Sequence, residues 1–344
     1  MLNKRRDFFR NNYRGSINSR AQDVIQLLKQ SKSPLRLGIW GMAGVGKSAI
    51  AKAIYDQIGP YFEDTCFLEY VQGASDKNST LVSLQEKLLF EIDTETKIDV
   101  STIESGDVIL KERLQQKKVL FILGVDKLEH LNALCGSREW FGEGSKIIIM
   151  TSDRQLLKEH VVDHIYRVKE LDESESLVLF NWSAFRQATS YEGFAELSRQ
   201  IVACCGGLPL ALKSLGEYLL GREVLEWKGV LSSLERFSFP NQYILHALRR
   251  SFDDLSDEEK EIFLDIAFFS NGMDKNSVHQ KLNSSTQSTT LQISLLEDKS
   301  FVTIDDKNKI QMSVVLQAMA RDIIKTESRN NSDQVCECVR ACVR

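Results

Sequence analysis

The sequence lacks any run of about 18 apolar residues, the length that a helix needs to cross a bilayer, although 42% of its 344 residues are hydrophobic. It therefore predicts no membrane-spanning segment. The first twenty residues carry six Lys or Arg against one Asp, but no apolar stretch follows them as a secretory signal would require. No segment recurs at a spacing of 20 to 50 residues, which excludes a solenoid array.

The sequence also lacks a large excess of charge of either sign, because 44 Lys and Arg nearly balance 48 Asp and Glu and leave a formal net charge of only −4. This balance argues against a nucleic-acid binder that relies on bulk electrostatics. The basic beginning of the chain is open to two interpretations, a solvated arm or a segment with a phosphate-binding or targeting role, and the solvated arm is the simpler.

Seven cysteines are scattered through the chain rather than spaced as a disulfide framework. Four lie in segments that look buried, which favours a reducing compartment such as the cytoplasm or the nucleus: Cys66, Cys135, Cys204 and Cys205. The other three form a tail in which no fourth ligand stands at a usual zinc spacing, so an exposed, oxidisable tail is favoured over a metal site: Cys336, Cys338 and Cys342.

Hydrophobic patterning divides the chain into regions of different fold class. Short, dense apolar runs alternate with helical stretches up to about residue 165, which predicts an α/β domain with a parallel sheet covered by helices. Apolar spacings of three and four then predict a helical subdomain, and two short strands flanked by helices predict a winged-helix subdomain. The predicted parts are a basic arm and linker helix (1–31), a P-loop domain (32–165), a helical subdomain (166–238), a winged-helix subdomain (239–325) and a Cys-containing tail (326–344).

One glycine-rich stretch carries specific chemistry. It fits GxxxxGK[ST] in full and lies between the predicted strand "LRLGIW" and the predicted helix "AIAKAIYDQI". In this context the backbone N–H groups and the helix N-terminus attract phosphate, the lysine reaches the β and γ phosphates, and the serine hydroxyl can hold Mg²⁺. The predicted nucleotide-binding residues are Gly41, Met42, Ala43, Gly44, Val45, Gly46, Lys47, Ser48 and Ala49, with Ser48 holding Mg²⁺ through the nucleotide.

The acids that a P-loop ATPase needs are displaced. The buried strand "KKVLFIL" runs into Gly124, where a carboxylate would orient Mg²⁺ and its water. Asp126 lies two residues past the predicted strand end, which makes a loop aspartate ahead of the next helix the favoured interpretation and a rescued catalytic role the alternative. The sequence therefore predicts that the loop still binds the phosphates of a nucleotide, while ATP hydrolysis is weak or absent.

Five motifs in order resemble the nucleotide-binding (NB-ARC) unit of plant intracellular immune receptors that carry TIR and leucine-rich-repeat parts. They are "GIWGMAGVGKSAIAKAIYDQI", "CFLEYV", "GSKIIIMTSDRQLL", "GGLPLAL" and "EIFLDIAFF", and the resemblance extends from about residue 14 to 325. It implies a unit that holds ADP at rest, exchanges it for ATP and signals in defence. Neither the TIR part nor the repeats are found within these residues.

Carried over by position, the resemblance places Pro209 of "GLPL" against the adenine, while the residue also fits the start of a helix. Three departures from the family's pattern surround the phosphates. Gly124 stands where the family has two aspartates, Met150-Thr151-Ser152 where it has two threonines and a sensing arginine, and Met312-Ser313-Val314 where it has methionine, histidine and aspartate. Arg154 would point the wrong way or lie on the following helix.

These observations leave two functions open. The first is an ADP- or ATP-binding switch module of an immune receptor in which the hydrolysis and sensing motifs are degenerate. The second is a regulatory partner or decoy of a full-length receptor that does not switch. Expected partners are the nucleotide, a full-length receptor or further copies of the chain, whereas a membrane is not expected and the winged helix offers no basic recognition face for DNA.

Overall fold

The computed structural model describes residues 2–30, 33–69, 77–92, 100–239, 242–281 and 286–330. The side chains of the predicted basic arm up to residue 14 and the cysteines of the predicted tail lie outside what is described. The chain forms two units, which we call the sheet unit (15–41 and 46–168) and the helical unit (the described residues among 1–14, 42–45 and 169–344).

The first half of the chain alternates strands and helices. In order they are α1 (Leu2–Leu28), β1 (Leu35–Trp40), α2 (Lys47–Ile58), β2 (Asp64–Leu68), α3 (Lys77–Ile92), α4 (Ile103–Leu114), β3 (Val119–Gly124), α5 (Leu128–Cys135), β4 (Lys146–Thr151), α6 (Arg154–Glu159) and β5 (His164–Arg167). Short 3₁₀ turns occupy Gly59–Tyr61 and Arg138–Trp140.

The five strands form one parallel sheet in the order β2-β3-β4-β1-β5. Every residue of β1, β3 and β4 is buried, as expected for central strands covered on both faces. These strands confirm the α/β prediction. The edge strand β5 was not predicted, because its four residues alternate between partly buried and exposed and give no dense apolar run.

The main core of the sheet unit lies on one face of this sheet. Phe121 is fully buried and meets the ring of Phe141 edge-on, with 5.4 Å between ring centroids. Removing such a side chain from water contributes roughly 1.5–3 kcal/mol, so the burial of Phe121 helps to hold β3 in the sheet.

The second half of the described chain is mainly helical. Its helices are α7 (Glu173–Phe185), α8 (Ala195–Cys204), α9 (Pro209–Leu219), α10 (Val224–Glu235), α11 (Gln242–Asp253), α12 (Asp257–Asp265), α13 (Lys275–Lys281), α14 (Thr286–Asp298) and α15 (Val314–Asn330). A π-helical turn, Ile266–Ser270, continues α12. Between α14 and α15 lie the antiparallel strands β6 (Thr303–Ile304) and β7 (Ile310–Gln311).

An aromatic cluster joins the first of these helices. The Trp227 ring, 1% exposed, stacks on Phe185 at 5.3 Å and meets Phe180 and Phe194 edge-on. Aromatic pairs at such distances stabilise a core beyond their area burial, so α7, α8 and α10 pack as one body.

Local signals in the last part of the chain fold as predicted. Ser256 caps α12 in a reciprocal capping box with Glu259, and the turn between β6 and β7 closes with a 2.9 Å bond from the N–H of Asn308 to the carbonyl of Asp305. Glu259 is 3% exposed, and its carboxylate accepts two hydrogen bonds from Lys299 at 2.7 and 2.9 Å. A buried ion pair therefore ties α12 to the turn that follows α14.

None of the described helices is both long enough and apolar enough to span a bilayer. Three of the described cysteines, Cys66, Cys135 and Cys205, are buried free thiols, and Cys204 is partly exposed. Burial raises the pKa of all four thiols above the ordinary value. Raised thiol pKa values mean little thiolate at neutral pH, so the three buried cysteines act as core residues.

Candidate functional site

The glycine-rich stretch links the end of β1 to the start of α2, as the motif predicted. The N–H of Gly41 donates to the carbonyl of Thr151 at 3.4 Å, which extends the β1–β4 ladder into the loop. Gly46 has φ 103° and lies immediately before α2, and its carbonyl accepts the N–H of Ile50 at 3.1 Å. The loop therefore rises from the carboxyl edge of a buried sheet and ends at a helix N-terminus, the geometry that attracts phosphate.

Lys47 is the first residue of α2, and its ammonium group donates a 2.7 Å hydrogen bond to the carbonyl of Gly41. Burial lowers the pKa of Lys47 to about 8, and the nearby Asp126 carboxylate only partly opposes this. A partly desolvated cation gains strongly from an anion placed beside it. A phosphate bound at the loop would therefore stabilise the charged form of Lys47.

The tip of the loop, residues 42–45, is held within the helical unit. The N–H of Leu210 donates to the carbonyl of Gly44 at 3.2 Å. Gly44 has φ 79°, and a Cβ at this position would lie only 2.7 Å from the Cβ of Leu210. A side chain is excluded here on both conformational and steric grounds.

Pro209 occupies the first position of α9, which confirms the helix-starting role foreseen for it. Proline is suited to this position because its missing N–H would have had no partner inside the helix. The next N–H, that of Leu210, is one of the unpaired donors of the first turn, and the carbonyl of Gly44 accepts it. The contact of Pro209 with an adenine stays a prediction.

Asp126 lies beside Lys47 in spite of its displacement along the chain. Gly124 is the last residue of β3, and the N–H of Val125 continues the ladder with a 3.0 Å bond to the carbonyl of Met150. The hydroxyl of Thr151 donates to the Asp126 carboxylate at 3.3 Å. Since β3, β4 and β1 are neighbours, their carboxyl ends bring Asp126, Thr151 and Lys47 to one edge of the sheet.

The other loop residues take ordinary positions. Met42 and Val45 are buried, with 7% and 1% exposed surface, and a 3.2 Å bond from the N–H of Val45 to the carbonyl of Met42 closes the loop's turn. Ala43 is partly exposed between them. Ser48 and Ala49 follow Lys47 in the first turn of α2, where a serine hydroxyl can face a bound nucleotide.

Two residues of the third-strand motif, Ser152 and Arg154, contact the Trp40 side chain of the neighbouring strand β1. The indole N–H of Trp40 donates to the carbonyl of Ser152 at 3.2 Å. Arg154 is the first residue of α6, the second of the two positions foreseen for it, and its guanidinium lies 5.2 Å from the centre of the Trp40 ring. Arg167 approaches the same ring at the same distance. Both arginines therefore pack against Trp40.

Ser313 precedes α15, where its hydroxyl accepts the N–H of Leu316 at 3.3 Å. This is the bond that a helix-capping serine makes, and it contributes typically about 1 kcal/mol. Ser313 stands at the position where the resemblance implies a histidine, and its side chain caps the N-terminus of α15.

The donors at the carboxyl edge of the sheet fit a phosphate with a hard cation. Lys47 supplies positive charge, while the hydroxyl of Ser48 and the carboxylate of Asp126 are the oxygen donors that Mg²⁺ prefers. Among the described residues no three His, Cys, Asp or Glu side chains gather as a metal cluster.

The sequence pattern did not indicate the roles of two groups near this edge of the sheet. The hydroxyl of Thr151 donates to the Asp126 carboxylate and also accepts the N–H of Asp153 at 3.1 Å. Its place directly after a buried strand could have indicated this role. The backbone N–H of Leu210 could not be found from the sequence, because a main-chain contact leaves no residue-specific signal.

A parallel sheet with a glycine-rich loop between its strand β1 and a helix defines a P-loop nucleotide-binding fold. The chain is similar in fold to the Walker-type ATPase paby2304 of Pyrococcus abyssi, with a TM-score of 0.56, 12% identity, and coverage of 88% of this chain and 95% of that one. The NB-ARC domain model matches residues 17–190, and the model of the Roq1-like disease resistance winged-helix domain matches residues 256–328. The chain belongs to the NB-ARC family.

Its relatives include plant disease resistance proteins. The chain is 36% identical to the disease resistance-like protein DSC2 of Arabidopsis thaliana over 321 residues, covering 88% of this chain and 26% of that protein. It is 36% identical to the TMV resistance protein N of Nicotiana glutinosa over 317 residues, covering 90% and 27%. The chain thus spans about a quarter of the length of these relatives. The predicted family, fold class and winged-helix part are confirmed, and the family's fold implies nucleotide binding.

Proposed function

We propose that this chain is the ADP- or ATP-binding switch module of a plant immune receptor. The observation that carries the proposal is the pairing of Lys47 with the carbonyl of Gly41 at the start of α2. A half-buried ammonium group with a lowered pKa, next to a helix N-terminus, is a site for the phosphates of a nucleotide. The relatives named as disease resistance proteins support the defence role. The free cysteines among the described residues support a reducing compartment such as the cytoplasm or the nucleus.

In this proposal the backbone and Lys47 hold the phosphates while Ser48 and Asp126 face the Mg²⁺ that accompanies them. The metal would neutralise phosphate charge and orient water. Asp126 is the carboxylate that lies beside Lys47, and Thr151 fixes one of its oxygens. Pro209, at the start of α9, remains the candidate for contact with the adenine.

Hydrolysis in this proposal is slow. Gly124 places no side chain at the end of β3, so Asp126, which partly offsets the burial of the Lys47 charge, would also have to hold the metal. Losing one preorganised electrostatic group typically costs about 10²- to 10³-fold in rate. The module would therefore keep a bound nucleotide for longer than a dedicated ATPase does.

The function is tested by identifying any nucleotide that the purified chain carries. The protein is denatured, and the released nucleotide is separated and quantified against the protein. About one ADP or ATP per chain supports the switch, together with its loss in Lys47→Ala. An empty site that also has no affinity for added ADP or ATP contradicts it.

The role of Asp126 is tested by Asp126→Asn, with Glu129→Gln on the exposed start of α5 as the matched control. We expect Asp126→Asn to abolish the gain in nucleotide affinity that Mg²⁺ gives, while affinity in EDTA stays within about twofold. Glu129→Gln should keep the gain. Equal behaviour of the two variants would remove Asp126 from the metal site.

A second function, that of a regulatory partner or decoy of a full-length receptor, is favoured by specific residues. Ser313 is engaged in capping α15, Gly124 has no side chain, and Ser152 offers its carbonyl to Trp40. Each of these residues has a structural role that does not require a bound phosphate. An empty site together with stable, Lys47-independent association with a full-length receptor would favour this function over the switch.

A further inference from the structure

A cavity of about 620 Å³ opens at the edge of the sheet opposite to the P-loop. It lies within the sheet unit, where β3 begins at Val119 and β4 begins at Lys146. The P-loop follows the carboxyl end of β1, so the cavity is separate from the candidate nucleotide site. Its volume is within the range of about 300–1,000 Å³ that is usual for small-molecule sites.

The walls of this cavity are mostly apolar. The end of α1 contributes Ile25 and Leu28, which are 3% and 2% exposed, and the end of α2 contributes Ile58. The following 3₁₀ turn adds Tyr61, whose side chain is 73% exposed, and Phe62 lies next to it. A concave apolar wall with an exposed aromatic ring at its rim is typical of a binding surface.

Three lysines line the same cavity against one carboxylate. They are Lys29, Lys118 and Lys146, with Glu143 on the exposed rim. Burial is the main cause that lowers the pKa of Lys146, and the nearby charge of Lys118 lowers it further. Positive charge in a partly desolvated place is stabilised by an anion, so the cavity matches a ligand with an apolar body and one negative charge.

The position of Lys118 is fixed by its surroundings. Its ammonium group donates to the carbonyl of Tyr61 at 3.1 Å and lies 4.9 Å from the centre of the Phe62 ring. Gly144 has φ 81°, and a Cβ there would be 3.3 Å from the Cε of Lys118, so the lysine stem passes closely over the glycine. The cation is therefore held in place before any ligand arrives, which favours binding.

We propose that this cavity binds a small organic anion with an apolar body, such as an aliphatic or aromatic carboxylate or sulfonate, and that Lys118 contacts its charged group. The site is independent of the nucleotide, because none of its lining residues belongs to the P-loop.

The proposal is tested with two fluorescent probes that differ by a single sulfonate, 8-anilinonaphthalene-1-sulfonate and N-phenyl-1-naphthylamine. The folded chain should bind the sulfonate at one saturable site. Lys118→Gln should weaken sulfonate binding about tenfold, the loss expected for one hydrogen bond to a charged group, and leave the uncharged probe within about twofold. Lys118→Arg should retain the sulfonate affinity within about threefold, because the charge remains.

Matched control variants distinguish binding in the cavity from non-specific binding of the probes. Lys111→Gln removes an exposed lysine from α4 and should change neither probe. Ile58→Trp fills the cavity and should weaken both probes, with circular dichroism checking the fold. Sulfonate binding that is unaffected by Lys118→Gln, or that saturating ADP displaces, overturns the proposal.

The source of the anion is tested with decanoate and with phosphatidylglycerol vesicles. Displacement of the sulfonate probe by free decanoate, with no sedimentation of the chain with vesicles, supports a small-molecule ligand. Sedimentation with vesicles that is lost in Lys118→Gln, without displacement by decanoate, would assign the surface to a lipid headgroup and overturn the small-molecule assignment.

Discussion

The ammonium group of Lys47 donates a 2.7 Å hydrogen bond to the carbonyl of Gly41, six residues earlier in the same loop. The bond closes the loop upon itself at the place where the motif binds phosphate. A phosphate oxygen is a stronger acceptor than a neutral carbonyl because its charge assists the bond. Nucleotide binding should therefore draw the lysine from its own backbone to the ligand.

Lys47→Ala should weaken ADP binding about 10- to 100-fold, since it removes a hydrogen bond between charged groups. Isothermal titration calorimetry measures the change. Lys52→Ala is the matched control, because Lys52 lies on the same helix in an exposed pair with Asp56 at 2.9 Å. It should change the affinity by less than about twofold. Equal losses in both variants would show that Lys47 has no special role.

Nucleotide affinity should fall as the pH rises through about 8, because burial gives Lys47 a pKa of about 8 in the free protein and the neutral amine attracts phosphate weakly. The decrease approaches tenfold per pH unit at most, as proton linkage requires. Titrations with a fluorescent ADP between about pH 7 and pH 9.5 follow it. Lys47→Arg should bind with little pH dependence, because arginine stays charged.

The same lowered pKa has a defined effect on stability. An unfolded lysine keeps its proton up to the ordinary pKa of 10.5, so between about pH 8 and that value the unfolded chain binds more protons than the folded chain at Lys47. The contribution of Lys47 to the free energy of unfolding therefore rises with pH across this window. In Lys47→Arg that rise should vanish from urea unfolding curves.

Gly44→Ala should lower the free energy of unfolding by about 1–3 kcal/mol, because it places a Cβ in a left-handed conformation and 2.7 Å from the Cβ of Leu210. Gly229→Ala is the control, since Gly229 lies exposed within α10 and a Cβ there has nothing within 4 Å. It should raise stability by about 0.4–1 kcal/mol. Urea denaturation measures the free energy of unfolding of both variants. If Gly229→Ala destabilised the chain as much as Gly44→Ala, the effect could not be assigned to the contact with Leu210.

Lys299→Met should destabilise the chain by about 3 kcal/mol, the lower end of the range for breaking a buried pair. The Glu259 side chain is 4% exposed and would be left charged, whereas Lys299 itself is 27% exposed. Arg199→Met, in the exposed pair with Glu196, should cost less than about 0.5 kcal/mol. A small effect of Lys299→Met would show that water reaches the carboxylate.

Acid should weaken the same contact. Burial alone would raise the pKa of Glu259, but hydrogen bonds from Lys299 and Ser256 outweigh it and leave the pKa below the ordinary 4.5. The stabilisation is therefore complete above that value and is lost as the pH falls through the lower, folded pKa. In Lys299→Met the folded pKa of the carboxylate should rise, so the difference in the free energy of unfolding between the unchanged chain and Lys299→Met should shrink as the pH falls.

Much of the fold could be predicted because its signals are local. The runs around Ile39, Phe121 and Ile148 are apolar on both faces, which only central strands of a covered sheet require. Ser256 with Glu259 marks a helix start that depends on four residues alone. The strand β5 gave no such signal, because an edge strand that is half exposed needs no apolar run.

Asp126 lies in the loop between β3 and α5, as the favoured interpretation expected, but nothing in the sequence indicated its neighbours. The backbone continues its ladder with β4 through Val125, and the hydroxyl of Thr151 meets the carboxylate from the neighbouring strand. A spacing of two residues along extended backbone also keeps a side chain on the same face. Its role in chemistry remains a proposal.

The sequence by itself determined the phosphate-binding loop, the central strands and the helix starts, since glycines, apolar runs and capping residues act on their immediate neighbours. Only the tertiary structure decided that Asp126 approaches Lys47 and that the N–H of Leu210 bonds the carbonyl of Gly44. Those contacts join residues that are far apart in the chain, and sequence spacing cannot encode a distance that packing sets.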